Sequence, residues 1–170
     1  SLDWLIVGGG IHGVHIAARL IGEGNVEPER LRILDPAKRL LERWSACTTT
    51  TGMTHLRSAS VHHLDLDPWS LRDFAHDEWK DEPALFVPPY NRPSLKLFNA
   101  HCDCVIETFG LNRLHVPNRA IAFAVERDGV AVRVTDGNDL DAHNVVLAIG
   151  ASEQPLWPQW APQDHPRIHH

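Results

Sequence analysis

The sequence predicts an α/β fold with a parallel central sheet, and three observations support this prediction. A short apolar run, Leu5 to Val7, leads directly into a glycine-rich turn and then into a segment with apolar residues at helical spacing. A second run, Leu31 to Leu34, ends in an acidic residue, and a third, Val145 to Gly150, ends in glycine. Short apolar runs separated by helical segments are typical of parallel strands that are buried on both faces.

The first turn carries the motif G-x-G-x-x-G at residues 8–13. Gly8 permits the tight turn out of the strand, Gly10 lets a pyrophosphate approach the backbone, and Gly13 lets the following helix pack closely on the sheet. The unpaired N–H groups of the first helical turn and the positive end of the helix dipole would face the phosphates. The motif predicts a dinucleotide site, and a glycine-rich turn that binds nothing is the alternative.

Asp35 stands at the end of the second apolar run, 22 residues after Gly13. A carboxylate at this position can accept hydrogen bonds from both hydroxyls of an adenosine ribose, and it repels a 2′-phosphate. It therefore favours FAD or NAD over NADP at this site. Pro36 can then begin a short helix over residues 37–44.

Residues 45–67 form a long polar segment with little periodicity, which is typical of functional or disordered loops. Arg57, within it, could face an anionic or electron-rich ligand or be an ordinary surface cation. The segment also contains possible metal ligands, but their spacing fits no defined zinc or calcium pattern, so we predict a solvated turn and no metal site. These residues are His62, His63, Asp65 and Asp67.

Two more helices are predicted on either side of a proline-rich loop at residues 83–93. The first covers Trp69 to Trp79, and the second begins after Ser94 as its cap and extends to about Phe109. The second contains a C-x-C motif at positions 102 and 104. Because residues two apart on a helix do not share a face, we expect buried or half-buried thiols here and neither a disulfide nor a metal pair.

The residue pattern in the last third of the chain predicts strands. Residues 114–116, 119–126 and 130–135 have strand character, and the last two alternate around an Asp-Gly turn as a β-hairpin does. Val145 to Gly150 is then predicted to be a fully apolar, buried parallel strand. The proline-rich stretch that follows, with Pro155, predicts an exit loop.

Composition limits the classes of function. A chain of 170 residues with 43% hydrophobic and 22% charged residues can form one well-packed domain. A net charge of -6 without a basic stripe argues against a nucleic-acid partner. No apolar run approaches the roughly 20 residues needed to cross a membrane, and three cysteines favour the cytoplasm over a disulfide framework. We expect a small-molecule substrate, and the oligomeric state stays open.

Together these motifs resemble the FAD-binding half of flavoproteins with two dinucleotide-binding domains, in particular flavin-containing monooxygenases and lysine/ornithine N-hydroxylases. The resemblance rests on the glycine motif, Asp35, the segment from Trp44 to Ser58, and the late hairpin followed by Val146 to Gly150. It implies a Rossmann-like FAD/NAD(P)-binding domain over residues 1–160, with a parallel central sheet and an added antiparallel β-hairpin layer. A helical and loop insertion would occupy about 45–112, and residues 161–170 would be an exit tail.

The resemblance also implies roles for individual residues. The three motif glycines would hold the FAD pyrophosphate and Asp35 the adenosine ribose, while the strand that begins near Asn118 and Arg119 would lie against the adenine. The segment with Trp44, Met53 and Arg57 would approach the flavin ring. His12 would face either the phosphates or, as we favour, the surface. The full implied set is Gly8, Gly10, Ile11, His12, Gly13, Asp35, Pro36, Trp44, Met53, Arg57, Asn118, Arg119, Ile149 and Gly150.

The function that this resemblance implies is an FAD-dependent oxidoreductase, most often a monooxygenase or N-hydroxylase that acts on a small amine or another soft nucleophile, with NADPH as the electron donor of the full-length protein. No second G-x-G-x-x-G for NADPH follows, so we expect a fragment of a longer protein. The alternative is a smaller flavoprotein that receives its electrons from elsewhere. No catalytic residue is predicted. An NAD-dependent dehydrogenase and a non-catalytic, redox-sensing dinucleotide-binding module are the alternatives.

Overall fold

The computed structural model describes residues 1–150 and 158–160, in which the chain forms eight strands and four α-helices. Short 3-10 helices also occur at Pro28–Arg30 and Leu111–Leu114. In chain order the strands and α-helices are β1 (Leu2–Val7), α1 (Ile11–Gly22), β2 (Leu31–Leu34), α2 (Glu42–Thr50), α3 (Ser70–Glu78), β3 (Phe86–Val87), β4 (Arg92–Pro93), α4 (Leu95–Thr108), β5 (His115–Val116), β6 (Ala120–Glu126), β7 (Gly129–Val134) and β8 (Asp139–Leu147).

Six strands form one sheet in the order β5-β2-β1-β8-β7-β6. The first four are mutually parallel, which confirms the predicted α/β class with a parallel central sheet. The long strand β8 pairs in parallel with β1 and, through residues 139–142, in antiparallel fashion with β7. The predicted hairpin, β6–β7, therefore joins the parallel strands through β8. β3 and β4 form a separate antiparallel pair within the predicted proline-rich loop.

The two faces of the central sheet contact different parts of the chain. Because side chains alternate along a strand, Ile6 lies on one face of β1, and Leu5 and Val7 lie on the other. Ile6 belongs to a buried cluster with residues of α1, α3 and α4. Leu5 and Val7 instead belong to a cluster with Val132 and Val134 of β7. The helices thus cover one face and the hairpin covers the other.

The predicted helices after residue 67 are confirmed. Asp67 accepts a hydrogen bond from the N–H of Trp69 at 2.9 Å, one residue before α3 begins. The hydroxyl of Ser94 accepts a hydrogen bond from the N–H of Leu97 at 3.2 Å, which makes it the N-cap of α4. Ser94 thereby satisfies one of the backbone donors that the first turn of a helix leaves unpaired.

The predicted helix over residues 37–44 is wrong. Leu41 has a left-handed backbone with φ of 60°, and α2 begins only at Glu42. The carboxylate of Glu42 accepts hydrogen bonds from the N–H groups of Lys38 and Arg39 at 3.0 and 3.2 Å, and these bonds stabilise a turn where the helix was expected. α2 then extends into the polar segment that was predicted to be a loop.

The prediction of a buried strand at Val145–Gly150 is wrong in both bounds and burial. The strand begins earlier, at Asp139, and ends at Leu147. Leu147 and Ile149 are 58% and 61% exposed within the described part of the chain. An apolar run predicts burial only where another layer covers it. The predicted exit tail, including Pro155 and residues 161–170, lies outside the described residues.

The cysteines agree in part with the prediction. Cys102 is buried in α4, whereas Cys104 and Cys47 are exposed, and all three thiols are free. Burial raises the pKa of the Cys102 thiol, so this group is protonated at neutral pH. Of the helices in residues 1–150, none has the length and apolar character required to cross a membrane.

Candidate dinucleotide site

At two positions of the motif, close contacts between backbone atoms leave space only for glycine. Gly8 has φ of 116°, and a Cβ added there would overlap the carbonyl group of Ala148 at the end of β8. A Cβ added at Gly13 would overlap the carbonyl oxygen of Gly8. These contacts hold β1, α1 and β8 together at the carboxyl end of the strands, which is where ligands bind in open α/β sheets.

Gly10 has a different environment. A Cβ added there would meet no described atom within 4 Å. Gly10 is the N-cap of α1, and within the described residues no side chain caps this helix and no acidic residue lies in its first turn. The N–H groups of a first helical turn have no acceptor within the helix, and the positive end of the helix dipole lies beside them. The open space and the uncapped helix end therefore fit a phosphate group.

Asp35 lies beside the same loop and is fixed by the backbone. Its Oδ2 accepts a hydrogen bond from the N–H of Gly9 at 2.6 Å, and its Oδ1 accepts one from the N–H of Ala37 at 2.8 Å. Each carboxylate oxygen can accept two hydrogen bonds, so each keeps one acceptor position. This geometry fits a ribose whose hydroxyls donate to the carboxylate. Pro36, between Asp35 and Ala37 in sequence, is exposed.

The end of β5 lies next to Asp35. The carbonyl of Val116 accepts hydrogen bonds from the N–H groups of Asp35 at 3.2 Å and Asn118 at 2.8 Å. The Oδ1 of Asn118 in turn accepts hydrogen bonds from the N–H of Arg119 and the hydroxyl of Thr135. The structure therefore brings Asn118 and Arg119 to the same edge of the sheet as Asp35.

The end of β8 lies on the other side of the loop. The N–H of Ala148 donates to the carbonyl of Val7 at 2.8 Å, which continues the pairing of β8 with β1. Ile149 and Gly150 follow directly, and Gly150 has φ of 63° with no described atom within 4 Å of an added Cβ. These two residues are thus near Gly8.

Trp44, Met53 and Arg57, which were expected near the flavin ring, differ from one another in contacts and burial. The Trp44 indole donates to Oδ1 of Asn99 at 2.9 Å and packs against Phe98 with ring centroids 5.5 Å apart. Met53 is half-buried and Arg57 is exposed. The described contacts connect Trp44 with α4, and the expectation that these three side chains approach the flavin ring stays a prediction. In α1, Ile11 is half-buried and His12 is exposed at the surface.

A cavity of about 550 Å³ lies between residues 39–45 and α4. Trp44, Leu40 and Leu41 line it, together with Asn99 and other residues of α4. The N–H of Leu41 donates to the carbonyl of Gly9 at 2.8 Å. Trp44 is therefore connected to the glycine loop through the neighbouring leucines.

Sequence reasoning missed several residues that shape the site. Gly9 binds the carboxylate of Asp35, Leu41 binds Gly9, and the Nε2 of His115 lies 3.2 Å from the carbonyl oxygen of Asp35. Gly9 stands inside the motif and could have been found from it. A left-handed leucine is uncommon, so nothing in the sequence marked Leu41.

The fold and this loop define a dinucleotide-binding domain. The chain belongs to a family described as FAD-NAD(P)-binding, whose profile matches residues 5–152. A comparison with curated protein sequences gives no match.

Solved structures with the same fold include three oxidoreductases. A steroid monooxygenase bound to NADP has a TM-score of 0.60 and 19% identity, and the match covers 87% of this chain and 26% of the enzyme. A flavin-containing monooxygenase from Stenotrophomonas maltophilia has a TM-score of 0.52 and 16% identity, and the match covers 86% of this chain and 38% of the enzyme. A bacillithiol disulfide reductase from Staphylococcus aureus has a TM-score of 0.54 and 15% identity, and the match covers 88% of this chain and 38% of the reductase.

These similarities confirm, for the fold, the predicted resemblance to flavin monooxygenases. The chain spans only between 26% and 38% of the length of these three proteins.

Proposed function

We propose that the chain is the FAD-binding part of an NAD(P)H-dependent flavoprotein oxidoreductase, and that the whole protein is a monooxygenase. The observation that carries this proposal is the glycine loop at residues 8–13, with the Asp35 carboxylate hydrogen-bonded to the N–H of Gly9 at 2.6 Å. In this arrangement the loop can bind the pyrophosphate of an adenosine diphosphate group, and the acid can bind its ribose.

The chain's own residues would bind and orient the cofactor. The N–H groups at the start of α1 would donate to the pyrophosphate above Gly10, and the acceptor positions left on Asp35 would take the ribose hydroxyls. The negative charge of Asp35 would disfavour the 2′-phosphate of NADP at this site. We therefore assign NADPH, as electron donor, to a part of the full-length protein other than this loop.

FAD is preferred over NAD because of the antiparallel hairpin. A glycine loop and an acid serve both cofactors, but β6–β7 followed by β8 suits the FAD class, and the flavin-containing monooxygenase with the same fold supports this choice. When bound, FAD supplies the hydride-accepting and oxygen-activating chemistry. A small amine or another soft nucleophile is the substrate class we propose, with N-hydroxylation as its specific form.

Cofactor binding tests the first part of the proposal. The chain is incubated separately with FAD, FMN and NAD, passed through gel filtration and examined by absorption spectroscopy. We expect FAD to elute with the protein and FMN, which lacks the adenosine half, to separate from it. Retention of NAD without FAD would support a dehydrogenase instead, and retention of none of the three would contradict the proposed site.

Two variants connect this result to the loop. Gly10→Ala places a methyl group in the space proposed for the pyrophosphate and leaves the protein contacts intact, so we expect at least about tenfold weaker FAD binding with an unchanged circular dichroism spectrum. Asp81→Asn removes an exposed carboxylate outside the site and serves as the control, with FAD affinity unchanged. Equal loss in both variants would mean that the weaker binding does not come from the loop.

The oxygenase part requires the full-length protein. NADPH oxidation is followed together with oxygen consumption while small amines are added. We expect substrate-dependent oxygen consumption and a hydroxylated product. NADPH oxidation that needs a disulfide and proceeds without oxygen would instead place the protein with the reductases that share this fold.

A further inference from the structure

Residues 62–69, which we call the strap, lie against α1 and α4 and connect to α3. Leu64 in the strap is completely buried, and its carbonyl oxygen lies 2.8 Å from Nδ1 of His15 in α1. Leu66 contacts α1 so closely that a Cβ added at Gly22 would overlap its Cδ1. The strap is therefore part of the packing that holds the helix of the glycine loop.

His63, within the strap, is fixed in an uncharged form by its hydrogen bonds. Its Nδ1 lies 3.2 Å from the backbone nitrogen of Asp65, and its Nε2 lies 3.2 Å from the carbonyl oxygen of Pro68. A backbone N–H can only donate, so Nδ1 must carry the lone pair and Nε2 the hydrogen. Protonation would turn Nδ1 into a second donor and break its bond to Asp65.

His101 of α4 faces the same segment and is only 2% exposed. Its Nε2 lies 3.0 Å from the hydroxyl of Ser70, whereas its Nδ1 is buried without a partner among the described residues. The ring packs edge-on against His63 and Phe74, with centroids 5.0 and 5.5 Å away. An imidazolium has two N–H donors, and here one of them would be buried without an acceptor.

The charged and titratable groups around the pair are Asp65, Asp67 and His15. Burial first, and then the neighbouring His63, lower the pKa of His101 to about 4, and Asp65, whose carboxylate oxygen is 3.9 Å away, acts in the opposite direction. Burial also lowers the pKa of His63, and His15 acts in the same direction, while the Pro68 carbonyl, Asp65 and Asp67 act against it. Burial thus lowers the two pKa values by more than the carboxylates raise them.

We propose that the strap is an acid-sensitive lock, in which the uncharged rings of His63 and His101 hold it between α1 and α4 and proton uptake by both rings releases it. The released segment exposes Leu64 and removes the hydrogen bond to His15. This loosens one side of α1 while the sheet stays paired.

The direction of the pH dependence follows from the lowered pKa values. The uncharged pair contributes its full stabilisation above the unfolded value of 6.5, and this contribution is lost as the pH falls through the folded values. For His101 alone, a fall from about pH 7.5 to about pH 5 raises the equilibrium constant for opening about 30-fold, because the open form binds the additional proton. Proton uptake by His63 adds to this factor.

Hydrogen exchange of the backbone amides, corrected for the intrinsic exchange rate at each pH, tests the proposal. In the unsubstituted chain we expect the strap to lose protection by at least about 30-fold between about pH 7.5 and about pH 5, with β1 and β2 much less affected. The double variant His63→Asn and His101→Gln keeps an acceptor for Asp65 and a partner for Ser70 without a titrating ring. Its strap should show less than about threefold change over the same range.

His62→Asn is the matched control, because His62 is an exposed neighbour in the same strap and its replacement should leave the full pH response. An unchanged pH response in the double variant, or an equal loss of protection throughout the sheet, would overturn the proposal. Nitrogen NMR of the unsubstituted chain at about pH 7 gives an independent test that needs no variant: a charged ring at His63 would overturn the proposal, and the uncharged Nε2–H form is the expected result.

Discussion

The glycine loop and the hairpin β6–β7 belong to one sheet but are stabilised in different ways. At the loop, backbone contacts backbone, so that a single added methyl group at Gly13 would overlap the carbonyl oxygen of Gly8. In β6, pairing runs from Ala120 to Glu126 against β7, yet Ile121, Phe123 and Val125 are 57%, 47% and 86% exposed. The loop is therefore specified by atomic contacts, whereas the outer strand is specified mainly by its hydrogen bonds.

Gly13→Ala should have the largest effect of the substitutions considered. The new methyl group has to displace α1 from β1, and overpacking of this kind costs about 3 kcal/mol in the free energy of unfolding. Chemical denaturation monitored by circular dichroism measures this loss.

Gly10→Ala is the matched control three residues away. Its added methyl group meets no described atom within 4 Å, so its free energy of unfolding should stay within about 0.5 kcal/mol of the unsubstituted chain. Equal stability of the two variants would contradict the close approach of α1 to β1.

Asp35→Asn should have an intermediate effect. The two carboxylate oxygens accept hydrogen bonds from two different backbone N–H groups, those of Gly9 and Ala37. An amide offers only one oxygen, so one buried or half-buried N–H loses its acceptor, at a cost of about 1.5 kcal/mol. Denaturation should show this loss for Asp35→Asn and almost none for Asp81→Asn. A variant as stable as the unsubstituted chain would show that the second of these two hydrogen bonds contributes nothing to the stability.

The same contrast explains what the sequence could predict. The glycine loop was predictable because its constraints are local: three glycines at fixed spacing, a strand before them and a helix after them. The cap at Ser94 was predictable for the same reason. Asp35 was identified from its distance to the loop, although its bond to Gly9 was not anticipated.

Contacts between distant residues explain the failures. His63 was assigned to a solvated turn, but its ring also packs against that of His101, 38 residues later in the chain. The hydrogen bond from the Trp44 indole to Asn99, 55 residues later, was not anticipated either. The predicted burial of the end of β8 was wrong for a related reason, since an apolar run contains no information about which layer covers it. None of these relations follows from a local pattern.

The smallest effect is expected at Val125 in the hairpin, where two valines of one antiparallel ladder differ in burial. Val125 in β6 is 86% exposed, whereas Val132 in β7 is 0% exposed and packs with Leu5 and Val7 of β1. Threonine has nearly the shape of valine and a similar preference for strands, so Val→Thr tests burial alone.

Val125→Thr should change the free energy of unfolding by less than about 0.5 kcal/mol, because its hydroxyl group stays in water. Val132→Thr should lose about 2 kcal/mol, because its hydroxyl group is buried against apolar side chains. Denaturation of both variants under the same conditions measures the difference between them. A large loss at Val125 would mean that another surface covers β6 in solution, and the hairpin would then be constrained by side-chain contacts as the glycine loop is constrained by its backbone.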